Sequence, residues 1–303
     1  MTQSEKALCG FINILKPPGM TSSQAVGFVR RHLNGEKVGH GGTLDPEASG
    51  VLPLMIGKAA RLFDYMQDKE KVYIAEVSFG ASTDTQDAQG KVLEVGENYP
   101  SCEELEAVLG EFTGEIMQRP PIYSALKQDG KRLYQLARSG QSTDIPLRPA
   151  TVYDLELVHM TENHGAIIRI RCAKGFYVRS LCHDLGQRLG CPSHMRFLLR
   201  AQSGVFGLDS AVTLEQIAKA KETGRLETLL LHPSASLGHL ASLQIPVEME
   251  KPLRNGGKLP VDRFPGAEEI PQGKMVCLWL GDQLLAIAER CRKEMKPRTW
   301  LGE

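Results

Sequence analysis

Gly39-His40-Gly41-Gly42-Thr43-Leu44-Asp45-Pro46-Glu47-Ala48-Ser49-Gly50-Val51-Leu52-Pro53-Leu54 sets one carboxylate, Asp45, between a glycine-rich turn and a proline, then runs into apolar sequence. Glycines let a backbone approach a ligand closely, and Pro46 pushes the residue before it towards extended geometry. Asp45 is therefore presented rigidly, which suits a nucleophile. The same Leu-Asp-Pro also fits a plain turn closed by an Asx hydrogen bond.

Upstream, Gly10-Phe11-Ile12-Asn13-Ile14-Leu15-Lys16-Pro17-Pro18-Gly19-Met20-Thr21-Ser22 reads as a short strand and a turn. A helix follows, because Thr21 and Gln24 have capping-box spacing and Ala25, Val29 and Leu33 recur on one helical face. Downstream, residues 71–80 alternate as a strand, with Tyr73, Ala75, Val77 and Phe79 on one face, so Tyr73 reads first as core. The next segment, 80–90, is a hairpin in which Asp84 and Asp87 are turn residues; the alternating oxygens and closing glutamate of a calcium loop are missing. Residues 167–186 read as strand, glycine turn and helix. Val178, Leu181, Cys182, Leu185 and Leu189 face the core, and Arg179 lies near the helix start. By itself Arg179 reads as a surface residue. Beside an aspartate it would hold the carboxylate bidentately, keep it ionised and lower its pKa.

Taken together these stretches resemble TruB-type tRNA pseudouridine synthases, which make pseudouridine at position 55 in the T-loop. The resemblance covers residues 10–210 with three specific motifs and the rest loosely. It implies an α+β pseudouridine-synthase fold with a mixed, largely antiparallel sheet, followed by a small PUA-like β domain. It also implies Asp45 as nucleophile, Arg179 as its orienting partner and Tyr73 stacked on the target base. His40 would pack against the distorted loop, with Tyr177 and Leu198 bordering the base; Leu198 is equally a natural core leucine. Lys16 is expected to pack structurally against the catalytic loop. Residues 123–149 resemble an RNA-clamping insertion, with Lys127, Lys131, Arg132 and Arg138 as RNA contacts.

Charge sums to zero, 36 basic against 36 acidic residues, yet unevenly: residues 121–200 carry 12 against 6. That excess, from Lys127 through Arg148, Arg169, Arg171, Lys174, Arg179, Arg188 and Arg196 to Arg200, reads as a basic strip for phosphates. Seven scattered cysteines without a Cys-x-x-Cys pair fit a reducing cytosol. Cys182, His183, Cys191 and His194 invite a zinc reading, but adjacent helical residues point apart. No metal and no cofactor is expected. No apolar run approaches the roughly 20 residues of a bilayer span, and no export signal opens the chain. A cytoplasmic monomer is expected, with a tRNA T-arm stem-loop as partner and neither membrane nor obligate protein partner.

Residues 213–231 read as a helix, and 275–280 and 283–288 as strands around a Gly281-Asp282 turn. Residues 1–242 are assigned to the catalytic domain and 243–303 to the PUA-like domain. Attack by Asp45 at C1′ of the ribose and at C6 of the pyrimidine both remain open. The rivals are a guide-RNA-dependent relative, a non-catalytic RNA-binding module, and a metal-dependent hydrolase using His40, Asp45, Asp84 and Asp87.

Overall fold

The computed structural model describes residues 8–66, 70–123 and 145–302, and between the last two only the backbone pairing of 127–128 with 131–132. The opening strand β1 (Gly10–Lys16) leads into helix Ser22–His32, which starts on the Thr21 capping box and buries Ala25 and Val29. Then β2 (Val38–His40) and β3 (Ser49–Ile56) bracket the Asp45 loop. Next come β4 (Lys71–Phe79) and a hairpin of β5 (Ala81–Thr83) with β6 (Val92–Val95). Helix Cys102–Leu109, opened by a Ser101–Glu104 capping box, precedes β7 (Gly114–Gln118). Of the clamp-like insertion, residues 124–144 are described only by the ladder of β8 (Lys127–Gln128) with β9 (Lys131–Arg132). The side chains of Lys127, Lys131 and Arg132, and all of Arg138, lie outside the described residues.

β10 (Arg148–Thr161) and β11 (Gly165–Cys172) form a long hairpin, and helix Val178–Leu189 leads to β12 (Ser193–Ser203) and β13 (Phe206–Gly207). These strands build a nine-stranded sheet in the order β1-β3-β12-β4-β11-β10-β7, with β2 on β3 and β13 on β12. Among the described strands of this sheet, only β3 with β12 is parallel. That contact needs a glycine: Gly50, at φ 112°, faces Arg200 so closely that a Cβ would lie 2.3 Å from the Arg200 carbonyl oxygen.

The apolar run of β3 follows from burial on both faces. Ile12, Ile14, Leu52, Leu54 and Ile56 pack with the helices on one side. Phe11, Val51 and Met55 face the other way, onto Cys277, Leu284, Ile287 and Leu301 of the C-terminal unit. That unit is a five-stranded sheet of β14 (Ala241–Gln244), β15 (Leu259–Pro260), β16 (Met275–Leu280), β17 (Gln283–Arg290) and β18 (Glu294–Trp300), ordered β14-β16-β17-β18-β15. It has its own core around Leu253, Phe264, Leu278 and Met295. Gly281 turns β16 into β17 at φ 56°. A cleft between the two units, lined by Leu8, His232, Leu284 and Leu301, is separate from the Asp45 loop.

One helix is shorter than its periodicity suggests. Thr213 caps Leu214–Glu222, Gly224 turns the chain at φ 65°, and only a 3-10 turn, Leu226–Leu229, follows. Among the described residues, no helix is long and apolar enough to cross a membrane.

Candidate active site

Every backbone segment around Asp45 is tied down by a buried side chain. Ser22, at the start of the first helix, exchanges two hydrogen bonds with Leu44: its Oγ accepts from the Leu44 amide at 2.9 Å and donates to the carbonyl at 3.1 Å. Lys16 donates to the carbonyls of Pro46 at 3.0 Å, Met20 at 2.6 Å and Pro17 at 2.7 Å. Arg200 donates to the carbonyls of Thr43 and Gly42 at 3.3 and 3.4 Å. Lys16 is fully buried, and burial lowers its pKa to about 8. Its position beneath Pro46 makes it a brace of the loop, out of reach of a substrate phosphate.

Arg179 meets Asp45 side-on, Nε to Oδ2 at 3.0 Å and Nη2 to Oδ1 at 3.3 Å. The arginine is 6% exposed whereas the Asp45 side chain is 40% exposed, so the cation is fixed behind and the carboxylate faces the cleft. A cation in the first turn of a helix opposes the helix dipole, and the Val178–Leu189 first turn has no acidic residue. Carboxylates from elsewhere offset this: Asp45 and Asp87, the latter 3.6 Å from Nη1. The carbonyls of Thr85 and Tyr123 accept the remaining bonds at 3.2 and 2.9 Å.

Arg179 does pull the Asp45 pKa down, but the net shift is upward. Burial is the larger effect, and Asp87 adds to it. The expectation of a lowered pKa is thus corrected by desolvation, which leaves the carboxylate more basic. Asp84 and Asp87 both close turns, accepting from the amides of Lys91 at 2.8 Å and Gln89 at 3.0 Å. Asp87 is the one that also reaches Arg179, a role the turn pattern did not reveal.

Tyr73 is 7% exposed on β4, between Ile170 of β11 and Arg200 of β12 in the ladders. Its phenol is pushed up to about 12 by burial, against the pull of Arg200, and Asp45 lies near enough to bear on it. Leu198 stands across from Ala75, two residues along the same faces, and is 7% exposed. Tyr177 is the N-cap residue of the Val178–Leu189 helix, where Gln118 holds its peptide on both sides at 3.0 Å. His40 ends β2 with its Nδ1 buried and without a partner among the described residues, and burial lowers its pKa, favouring the neutral imidazole. Asp45, Arg179 and Asp87 thus converge. Tyr73 flanks them, and both Tyr73 and His40 lie near enough to Arg200 to feel its charge.

The basic strip is not a row of free cations. Arg179 and Arg200 are buried, while Arg169 pairs with Asp154 and Glu156, Arg171 with Glu70, Arg188 with Glu111 and Arg196 with Glu76. Neighbouring strands bring Arg169 and Arg196 beside acids of the sheet, while Arg171 and Arg188 find theirs in a loop and a 3-10 turn, which a count of charge along the chain could not show. Cys182 is fully buried in the helix-side core. Among the described residues, no group of three or more His, Cys, Asp or Glu is placed to hold a metal ion.

Residues 30–178 match the family described as TruB family pseudouridylate synthase (N terminal domain), and residues 179–248 the one described as tRNA pseudouridylate synthase B C-terminal domain. The chain is 44% identical over 239 residues to the tRNA pseudouridine synthase B of Caldanaerobacter subterraneus subsp. tengcongensis, covering 78% of this chain and 84% of that one. With the namesake of Heliobacterium modesticaldum it shares 38% over 295 residues, 96% of this chain and 93% of the other. Among solved structures it is similar to a chain of a Cbf5-Nop10-Gar1 complex, with a TM-score of 0.70, 28% identity and coverage of 97% and 84%. A chain of an H/ACA RNP bound to a substrate RNA containing 2'-deoxyuridine gives 0.72, 26%, 97% and 85%.

Proposed function

The chain belongs to the TruB family of pseudouridylate synthases, and on that premise we propose that it is an isomerase that converts uridine 55 in the T-loop of tRNA to pseudouridine, with Asp45 as nucleophile. The observation that carries this reading is the side-on Asp45–Arg179 pair, set in a loop whose flanking carbonyls are held by Lys16, Ser22 and Arg200. A partly desolvated carboxylate is a stronger nucleophile than a fully hydrated one, and the arginine keeps it oriented and limits the cost of its charge.

The target uridine must leave its stack, which costs a few kcal/mol, and stacking on Tyr73 offsets part of this. Asp45 attacks C1′ or C6, the N1–C1′ bond breaks, the uracil turns in the pocket and C5 bonds to C1′; Asp45 is released, the C5 proton leaves to solvent and N1 takes one up. Tyr177 and Leu198 border the base, and His40 supports the loop. Lys127, Lys131, Arg132 and Arg138 bind the RNA backbone, and the C-terminal sheet acts as a PUA-like RNA-binding unit. No redox change occurs and no phosphate is cleaved, so the reaction calls for neither cofactor nor metal.

We assign the protein to the cytoplasm, acting as a monomer on naked T-arm RNA. The identity of about 40% to relatives named tRNA pseudouridine synthase B, over most of both chains, supports this over dependence on partner proteins. The test is tritium release from T-arm RNA labelled at C5 of uridine. Wild-type protein should release tritium without additions. Folded Asp45→Asn should bind the RNA and release essentially none; release at near wild-type rate would overturn the assignment.

A further inference from the structure

Arg200 is among the largest fully buried side chains, 1% exposed, and among the described residues no carboxylate pairs with it. Desolvation of an unpaired cation is costly, so its position needs a compensating set of acceptors. Three are carbonyls, Val51 on Nε at 2.8 Å and Thr43 and Gly42 on Nη1 and Nη2 at 3.3 and 3.4 Å; beside them Tyr73 stands directly across the β12–β4 ladder, on the same face of the sheet, which brings its hydroxyl to the guanidinium. One planar fork thus spans β3, the loop before Asp45, and the tyrosine of β4.

Resting on the functional reading above, we infer that Arg200 is a positioning residue that locks the Tyr73 phenol to the nucleophile loop and fixes the direction of its hydroxyl. A guanidinium has only N–H donors, so in the contact between the two the Tyr73 oxygen is the acceptor. The phenolic proton is then directed away from Arg200 and is free for another acceptor. The same side chain holds Gly42 and Thr43, so the stacking platform and Asp45 keep one fixed spacing. Burial lowers the pKa values of Lys16, Lys71 and His40, and the charge of Arg200 nearby adds to each.

The experiment is a double-mutant cycle of Arg200→Lys and Tyr73→Phe. Lysine keeps the charge and loses the fork. Single-turnover rates on T-arm RNA, RNA affinity and urea unfolding are measured for all four proteins. Arg200→Lys should slow the chemical step by about tenfold or more, with RNA affinity within about threefold, and should cost no more than about threefold in the Tyr73→Phe background. The unfolding constants should show a matching non-additivity. Equal rate losses in both backgrounds, or a near wild-type Arg200→Lys, would overturn the inference.

If Arg200→Lys does not fold, Tyr73→Phe alone decides through amide hydrogen exchange at Gly42–Leu44. Faster exchange supports the coupling, and unchanged protection overturns it. Wild-type protein that makes no pseudouridine would sink the functional reading instead, while the unfolding cycle would still judge the coupling.

Discussion

Replacing Asp45 by Asn removes a charge without stranding one. Arg179 keeps the carbonyls of Thr85 and Tyr123 at 3.2 and 2.9 Å and the Asp87 carboxylate at 3.6 Å. Breaking a buried ion pair costs about 3–5 kcal/mol when an uncompensated charge is left behind. Here the charge removed is one that burial already disfavours, since the Asp45 pKa is raised. The folded protein therefore holds the Asp45 proton more tightly than the unfolded chain does. That contribution is complete below the unfolded pKa of about 4 and is lost as pH rises through the folded pKa. Near neutral pH the ionised aspartate weakens the fold, and asparagine relieves it.

The expected net effect is within about 1 kcal/mol of wild type, or a Tm change of about 2–4 °C at most. Arg179→Met does the opposite, leaving Asp45 and Asp87 without their cation and two carbonyls without their donor, and should cost about 3–5 kcal/mol. Urea unfolding followed by circular dichroism compares the three proteins. Fluorescence alone would not serve, because both tryptophans, Trp279 and Trp300, lie in the C-terminal sheet. Both variants should lose tritium release. An Asp45→Asn protein destabilised as much as Arg179→Met would show that Asp45 is a structural counter-ion, and the argument from desolvation would fail.

The raised Asp45 pKa also predicts that the single-turnover rate falls on acidification at a higher pH than an ordinary aspartate would give; a midpoint at or below the usual value of about 4 would contradict this. Lys16, with a folded pKa of about 8 against 10.5 unfolded, should make the protein gain stability as pH rises between those values, a slope that Lys16→Met removes in urea titrations. Gly50→Ala puts a Cβ 2.3 Å from the Arg200 carbonyl at φ 112° and should cost about 2–5 kcal/mol by thermal denaturation; a neutral result would mean that β3 and β12 can separate freely. Deleting residues from 243 onward uncovers Phe11, Val51, Met55, Leu62 and Phe206, so the truncated chain should aggregate or melt well below the full chain, judged by light scattering and calorimetry.

Local chemistry made much of this molecule legible in advance. The Thr21–Gln24 box starts its helix, the alternation of Tyr73, Ala75, Val77 and Phe79 gives a buried strand face, and the strand, glycine turn and helix around Arg179 stand where residues 167–186 put them. Each depends on spacings of two to four residues, which capping and periodicity encode directly. The family resemblance paired Arg179 with Asp45, and only the tertiary structure decided how that pair is held and what surrounds it. Asp45 and Arg179 are 134 residues apart in sequence, and Asp87 joins them through a turn whose pattern announces nothing but a turn. Arg200 looked like one more cation in a basic strip until the parallel β3–β12 contact buried it. The upward Asp45 pKa shift was equally hidden, because the arginine in the motif is visible in sequence whereas desolvation depends on everything packed around the loop. Sheet order and the burial of charged groups depend on which distant segments meet, and spacings of a few residues do not encode that.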